Sequence, residues 1–348
     1  MNKRKTYHKK RFWVAVLAAQ FLLFFILSKI TFAIDFFSAL FEWKKNFHIF
    51  LFSWLHFSVG DLLYSVIILW LCFVIFNLIK KKRRKGLHSF LIFANIFYFI
   101  YQCFWGMLYF QKPIYDKLAK KEISEQNLKK LAVKYLNLSR STRENVSENK
   151  DGIFIISNID DIKKEIMLKQ TQLPTNLNSK KAIRHFSVKA SFYKNVMNYT
   201  GILGYYNPFT AEAQYNPNLP ATQLPFTLAH EMSHQLGYAR EQEASFVAFL
   251  CAEQSDNQDF RYSTQLYVLK SVLRNLNAKD PAFVKQILSK YSDKMKRDRA
   301  NDLNFYKKYD GAMSEIFGIT NDFFLKSNQQ EGRVTYSYFL NLLVAYEG

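Results

Sequence analysis

His230-Glu231-Met232-Ser233-His234 carries two imidazoles and one carboxylate at a spacing suited to metal chemistry. On a helix, positions i and i+4 share a face, so His230 and His234 can address one ion. Glu231 lies beside that face, where it can take a proton from a water that the ion activates. The chemistry is hydrolysis: zinc as Lewis acid, and Glu231 as a general base that returns the proton to the leaving amine. The competing reading is an exposed helix with two unrelated histidines, and the flanking residues disfavour it. Pro225 suits the first turn of a helix. Phe226, Leu228 and Ala229 give that helix an apolar side, and Gly237 suits a left-handed stop after its last turn.

A catalytic zinc takes three protein ligands and keeps one position open. One zinc pattern continues with Gly and then His. Gly237 fits it, but the ligand position falls on Arg240, and arginine cannot bind zinc. The next helix opens at once with Arg240-Glu241-Gln242-Glu243-Ala244. Glu241 and Glu243 both lie in its first turn and are two apart, so they cannot share a face. One is a ligand candidate; the other is a helix N-terminal charge that suits the dipole. Their positions alone leave the choice open. An oxyanion stabiliser is also expected. Tyr336, Tyr338, Arg240 and His185 are candidates, each with a plain structural alternative.

The elements that must position these residues begin in a membrane. The chain has 348 residues, 49% hydrophobic and 17% aromatic, yet its mean hydropathy is only −0.15. The apolar residues are therefore unevenly spread. Three runs, about 12–34, 62–79 and 87–110, are each long enough to cross a hydrocarbon core, which takes about 20 residues. Lys3, Arg4, Lys5, Lys9, Lys10 and Arg11 precede the first run, and Lys80 to Lys85 separate the second from the third. Such clusters stay cytoplasmic, which puts the N-terminus inside and everything after Phe110 outside. The first run is longer than the core of a cleaved signal peptide and reads as an uncleaved span. The stretch from Asp35 to Gly60, with Trp43 and Trp54, suits the outer interface.

The net charge of +20 could suggest nucleic acid. Its clusters are juxtamembrane, where they read as topology signals and anionic-lipid contacts. No nucleic-acid motif accompanies them, so no nucleic-acid partner is expected. Of three cysteines, Cys72 and Cys103 fall in the spans and only Cys251 lies beyond them. The outer part must therefore stand on its core, without an internal disulfide.

From 111 to 348 the chain is long enough for one sizeable core. Asp116 to Asn137 reads as an amphipathic helix, Ser139 to Asp151 as a polar loop, and Gly152 to Ile156 as a short β-prone run. Ser179 to Thr200 reads as partly helical. Residues 201–216 read as strand, turn, strand, with Asn207-Pro208 as the turn signal. After the second metal helix the pattern is helical through Leu266–Leu276, Phe283–Tyr291 and Phe305–Phe324. Gly332 then breaks it before a last helix, Tyr336 to Tyr346.

These features resemble one bacterial family. The three spans carry the resemblance, with Gly204-Tyr205-Tyr206-Asn207-Pro208-Phe209-Thr210-Ala211-Glu212-Ala213, the helix Leu224 to Gly237, Arg240 to Ala244, and the tail Phe324-Leu325-Lys326-Ser327-Asn328. It is catalogued as domain of unknown function 3810, membrane proteins proposed to be peptidases. The second helix also resembles that of compact gluzincin peptidases, in which the first Glu is the ligand. The resemblance therefore implies a Zn2+ site of His230, His234 and Glu241, with Glu243 as the alternative and Glu231 as catalytic base. It implies a mainly α membrane protein: three transmembrane helices (residues 1–110), then a zincin-like α+β extracytoplasmic metallopeptidase domain (111–348). In zincins an edge strand before the metal helix binds the substrate backbone, which makes Tyr206, Asn207, Glu212 and Tyr336 candidate substrate contacts, with Glu212 also a candidate support for a ligand histidine. One departure is Ser245, where related sequences favour Asn or Asp to support a ligand histidine. The expected function is an inner-membrane, multi-pass zinc peptidase acting on envelope proteins or peptides. The rivals are a proteolytically silent zinc-binding scaffold and a zinc amidase of cell-wall or lipid material.

Overall fold

The computed structural model describes residues 10–80, 83–121, 123–183, 185, 187–328, 330–331 and 338–347. The chain divides into two compact units. The first is Met1–Gln111 together with Asn207–Glu212; the second is Lys112–Tyr206 with Ala213–Gly348.

In the first unit, α1 (Lys10–Leu27), α3 (Val59–Ile79) and α4 (Arg83–Phe104) hold the three segments long and apolar enough to cross a membrane. α1, α2 (Thr31–Phe52) and α3 each pack on α4. Part-buried polar pairs join α1 to α4: Gln20 Nε2 donates to Asn95 Oδ1 at 3.1 Å, and Asn95 Nδ2 donates to the Trp13 carbonyl at 3.0 Å. Phe24, Phe37 and Met107 form the core beside them. Large apolar side chains point outward, Leu69 at 70% exposure and Phe73 at 63%. That suits an apolar surrounding better than water.

Two expectations shift here. The run 12–34 is not one helix, because α1 ends at Leu27 and α2 starts at Thr31. At the break, Ser28 Oγ bonds back to the Phe25 carbonyl, a local bond that competes with the helix ladder. Hydropathy cannot see that stop. The third run likewise ends its helix at Phe104 and finishes as a 3₁₀ segment, Gly106–Phe110.

The first unit also holds the turn 207–212. Lys44, 1% exposed, donates to the Pro208 carbonyl at 2.6 Å. Its ammonium lies 5.0 Å from the Phe41 ring centre and 4.8 Å from that of Phe104. Glu212 accepts from the N–H groups of Val59 (3.1 Å) and Gly60 (2.5 Å), the first residues of α3. A carboxylate suits that end of a helix dipole.

The second unit is built on α5 (Glu125–Arg143) packed along α10 (Gln258–Asn277), with α8 (Leu224–Leu236) and α9 (Glu241–Glu253) packed together beside α10. α5 starts at its Ser124 cap, later than expected, and continues to Arg143 through the segment read as a loop. α6 (Ile159–Thr171) packs on α8 and α9. A three-stranded sheet has the order β1-β3-β2: β1 (Val188–Ala190), β2 (Gly204–Asn207) and β3 (Glu212–Tyr215). The strand–turn–strand expected at 201–216 is present, and β1, unforeseen, runs parallel to β3 with Val188 opposite Ala213. The β-prone run near Phe154 makes only an isolated bridge to Glu148. α7 is Lys194–Thr200, and the helices after α10 are α11 (Pro281–Ser289), α12 (Asp293–Tyr309), α13 (Ala312–Ser327) and α14 (Phe339–Glu347). Phe246, Leu269 and Phe339 are fully buried between them.

Candidate metal centre

α8 forms where the sequence dictates. Pro225 occupies its first turn, and Gly237 closes it in the left-handed region at φ 115°. The Gly237 and Tyr238 N–H groups return to the carbonyls of His234 and Ser233. This short reversal lets α9 begin at Glu241, facing back on α8. His230 Nε2 and His234 Nε2 are 3.1 Å apart. Glu241 Oε2 lies 3.1 Å from the first and 3.5 Å from the second. All three donor atoms fall within 4.8 Å of one another.

The partners of the ring nitrogens decide what those atoms can do. His234 Nδ1 lies 2.6 Å from the Tyr238 carbonyl, which only accepts, so Nδ1 carries the proton. The Nε2 lone pair of a neutral ring then faces the site. His230 Nδ1 is 3.1 Å from Ser245 Oγ, and Tyr267 OH donates to the same oxygen at 3.2 Å. Two imidazole nitrogens and one carboxylate oxygen suit zinc, and they leave a fourth position open. Buried lone pairs converging in this way favour a cation at their centre. In the metal-free protein, burial opposes charge on His234, but Glu241 overrides it and raises His234 to about 9. Burial likewise opposes charge on Glu241, and the two histidines override it, holding Glu241 well below the usual carboxylate range.

Glu243 is turned elsewhere. Its Oε1 accepts from the Ile114 N–H at 2.8 Å and from Arg240 Nη1 at 3.1 Å. Two residues on a helix span about 200° of rotation, so the two glutamates must diverge. Glu231 is 5% exposed, and its Oε2 has no hydrogen-bond partner among the described residues. Burial pushes its carboxyl up to about 8, against the opposing charge of His234. Gly204 of β2 lies against it: a Cβ there would sit 2.7 Å from Glu231 Cγ.

The other candidates fall as follows. Tyr206 is buried in β2. Asn207 Oδ1 accepts from the N–H groups of Phe209 and Thr210, shaping the turn. Glu212 accepts from Thr210 Oγ1 as well as from the start of α3, so its carboxylate serves the turn and that helix end. Arg240 pairs with Glu243, Tyr338 donates to Glu331, and His185 is exposed. Tyr336 lies outside the described residues.

Sequence reasoning missed four supports: the Tyr238 carbonyl, Tyr267, Gly204, and Gln330, whose Oε1 accepts from the Glu241 N–H at 3.2 Å. Only Gly204 carried a readable signal, since glycine inside a strand marks a close approach. No curated protein and no solved structure matches the chain. One family model does, described as a protein of unknown function, and it matches residues 36–344. The chain belongs to the DUF3810 family.

Proposed function

We propose that this protein is a membrane-anchored, zinc-dependent peptidase with Glu231 as its general base. The observation that carries the reading is the convergence of His230 Nε2, His234 Nε2 and Glu241 Oε2 within 4.8 Å. A zinc ion held there would polarise a carbonyl and acidify water. The chain's own groups do the rest. The Tyr238 carbonyl and Ser245 Oγ hold the two rings with Nε2 inward. Glu231 takes the proton from the attacking water and delivers it to the departing amine, so that one water is consumed and one peptide C–N bond breaks.

β2 pairs only with β3 among the described residues, and its Gly204 end lies against Glu231. An extended peptide added to that edge would present its backbone to the base. This favours peptide over glycan or lipid as substrate. The three apolar helices and the basic clusters support a protein of the bacterial inner membrane, with residues 111–348 outside the cytoplasm and envelope proteins or peptides as substrates.

The test is the zinc content of the full chain in detergent, beside Glu241→Ala and Glu243→Ala. Wild type should hold about one zinc per chain. Glu241→Ala should lose it and Glu243→Ala should keep it. A folded wild type that takes up no zinc when supplied with it would sink the reading and leave a scaffold.

A further inference from the structure

Gly204 does not have the backbone of a special glycine. Its φ is not positive, unlike that of Gly201 three residues earlier or Gly237 after α8. A residue with a side chain could adopt its strand conformation, so the reason for glycine must be space. A Cβ at this position would lie 2.7 Å from Glu231 Cγ, 2.8 Å from Glu231 Oε1 and 2.8 Å from the Gln214 carbonyl oxygen. The carboxylate side chain therefore rests directly on the backbone of β2. Its two oxygens are unequal. Oε1 is backed by Gly204, whereas Oε2 is buried and has no hydrogen-bond partner among the described residues.

We infer that Gly204 is a positioning residue for Glu231: its bare backbone is the wall that fixes the side chain and leaves Oε2 as the oxygen turned away from the strand. The catalytic half of this inference rests on the peptidase reading; the steric half does not. Gly204 touches no reacting atom. It acts by denying Glu231 the volume in which to swing away from the centre, and by bringing the base against the strand backbone. A wall of this kind tolerates no added carbon, because the opposing atoms include the backbone of β3, which cannot rotate aside.

A double-mutant cycle on the full chain in detergent decides the steric half. The proteins are wild type, Gly204→Ala, Glu231→Ala and the double variant. Gly204→Ala should lower the melting temperature by about 3 °C or more. In the Glu231→Ala background the drop should be measurably smaller, because two of the three close contacts leave with the carboxylate side chain, while the unyielding Gln214 contact remains. Equal drops in the two backgrounds overturn the inference. Should Gly204→Ala not accumulate as folded protein, the reverse reading decides: Glu231→Ala should raise the yield of folded protein in the Gly204→Ala background, and an unchanged yield overturns the inference.

Zinc content and cleavage of a mixed peptide library, read by mass spectrometry, decide the catalytic half. Gly204→Ala should keep its zinc and lose cleavage by about 100-fold or more. Gly204→Ala cleaving at the wild-type rate overturns the positioning role. A wild type that binds zinc yet cleaves nothing counts against the peptidase reading instead, and the melting cycle still decides Gly204.

Discussion

Glu212 in the first unit and Glu231 in the second are both buried carboxylates, 0% and 5% exposed, yet their surroundings differ in kind. Glu212 receives two backbone N–H groups and a hydroxyl. Among the described residues Glu231 Oε2 receives nothing, and its Oε1 leans on a glycine. Burying a carboxylate is costly, and hydrogen bonds to the charged form are the usual compensation. Where compensation is complete the group is structural. Where it is withheld, the group is kept ready for a proton. Glu243, with its two donors, falls on the structural side of the same line.

The sharpest way to break this comparison is to neutralise each carboxylate. Glu231→Gln should leave zinc bound and lower peptide cleavage by about 10²–10⁴-fold. Loss of zinc in that variant would make Glu231 a ligand rather than a base. Acidity comes next. His234 is held near 9 in the metal-free protein, so below that pH zinc must displace a proton. Apparent zinc affinity should therefore fall by about tenfold per unit as pH drops below 9, measured by competition with a chelator. Flat affinity from pH 9 to 7 would mean that His234 is already neutral.

Ser245→Ala removes the oxygen that faces His230 Nδ1 and should weaken zinc by about 10-fold, with the fold intact. Ser245→Asn should recover most of that loss. The smallest effect on the metal belongs to Glu212→Gln. It should destabilise the first unit by about 1–3 kcal/mol, since an amide cannot accept from all three donors. Zinc affinity should not change. A parallel loss of zinc would erase the contrast between the two glutamates.

How much of this was legible in the sequence depends on the range of the forces involved. α8 was legible because Pro225, the i,i+4 histidines and Gly237 act within a few residues of one another. The three apolar helices were legible for the same reason, although the stop at Ser28 was not. The choice between Glu241 and Glu243 needed a resemblance, because their spacing shows only that they diverge. Tyr267 and Gln330 could not be found, for they reach the site from α10 and from near the C-terminus. Asn207 and Glu212 looked like site residues because they neighbour the metal helix in sequence. Their partners lie in the turn and on α3, and no local pattern announces such bonds.

The turn 207–212 also bears on how the protein is made. The first unit is discontinuous, since its last piece emerges only after residues 112–206 have been synthesised. At ribosomal speed that interval is roughly 5–20 s. Throughout it, Lys44 has no Pro208 carbonyl to bond and α3 lacks the Glu212 carboxylate at its first N–H groups. The first unit must therefore wait in an unfinished state, held only by the contacts among its own helices, until the turn is made.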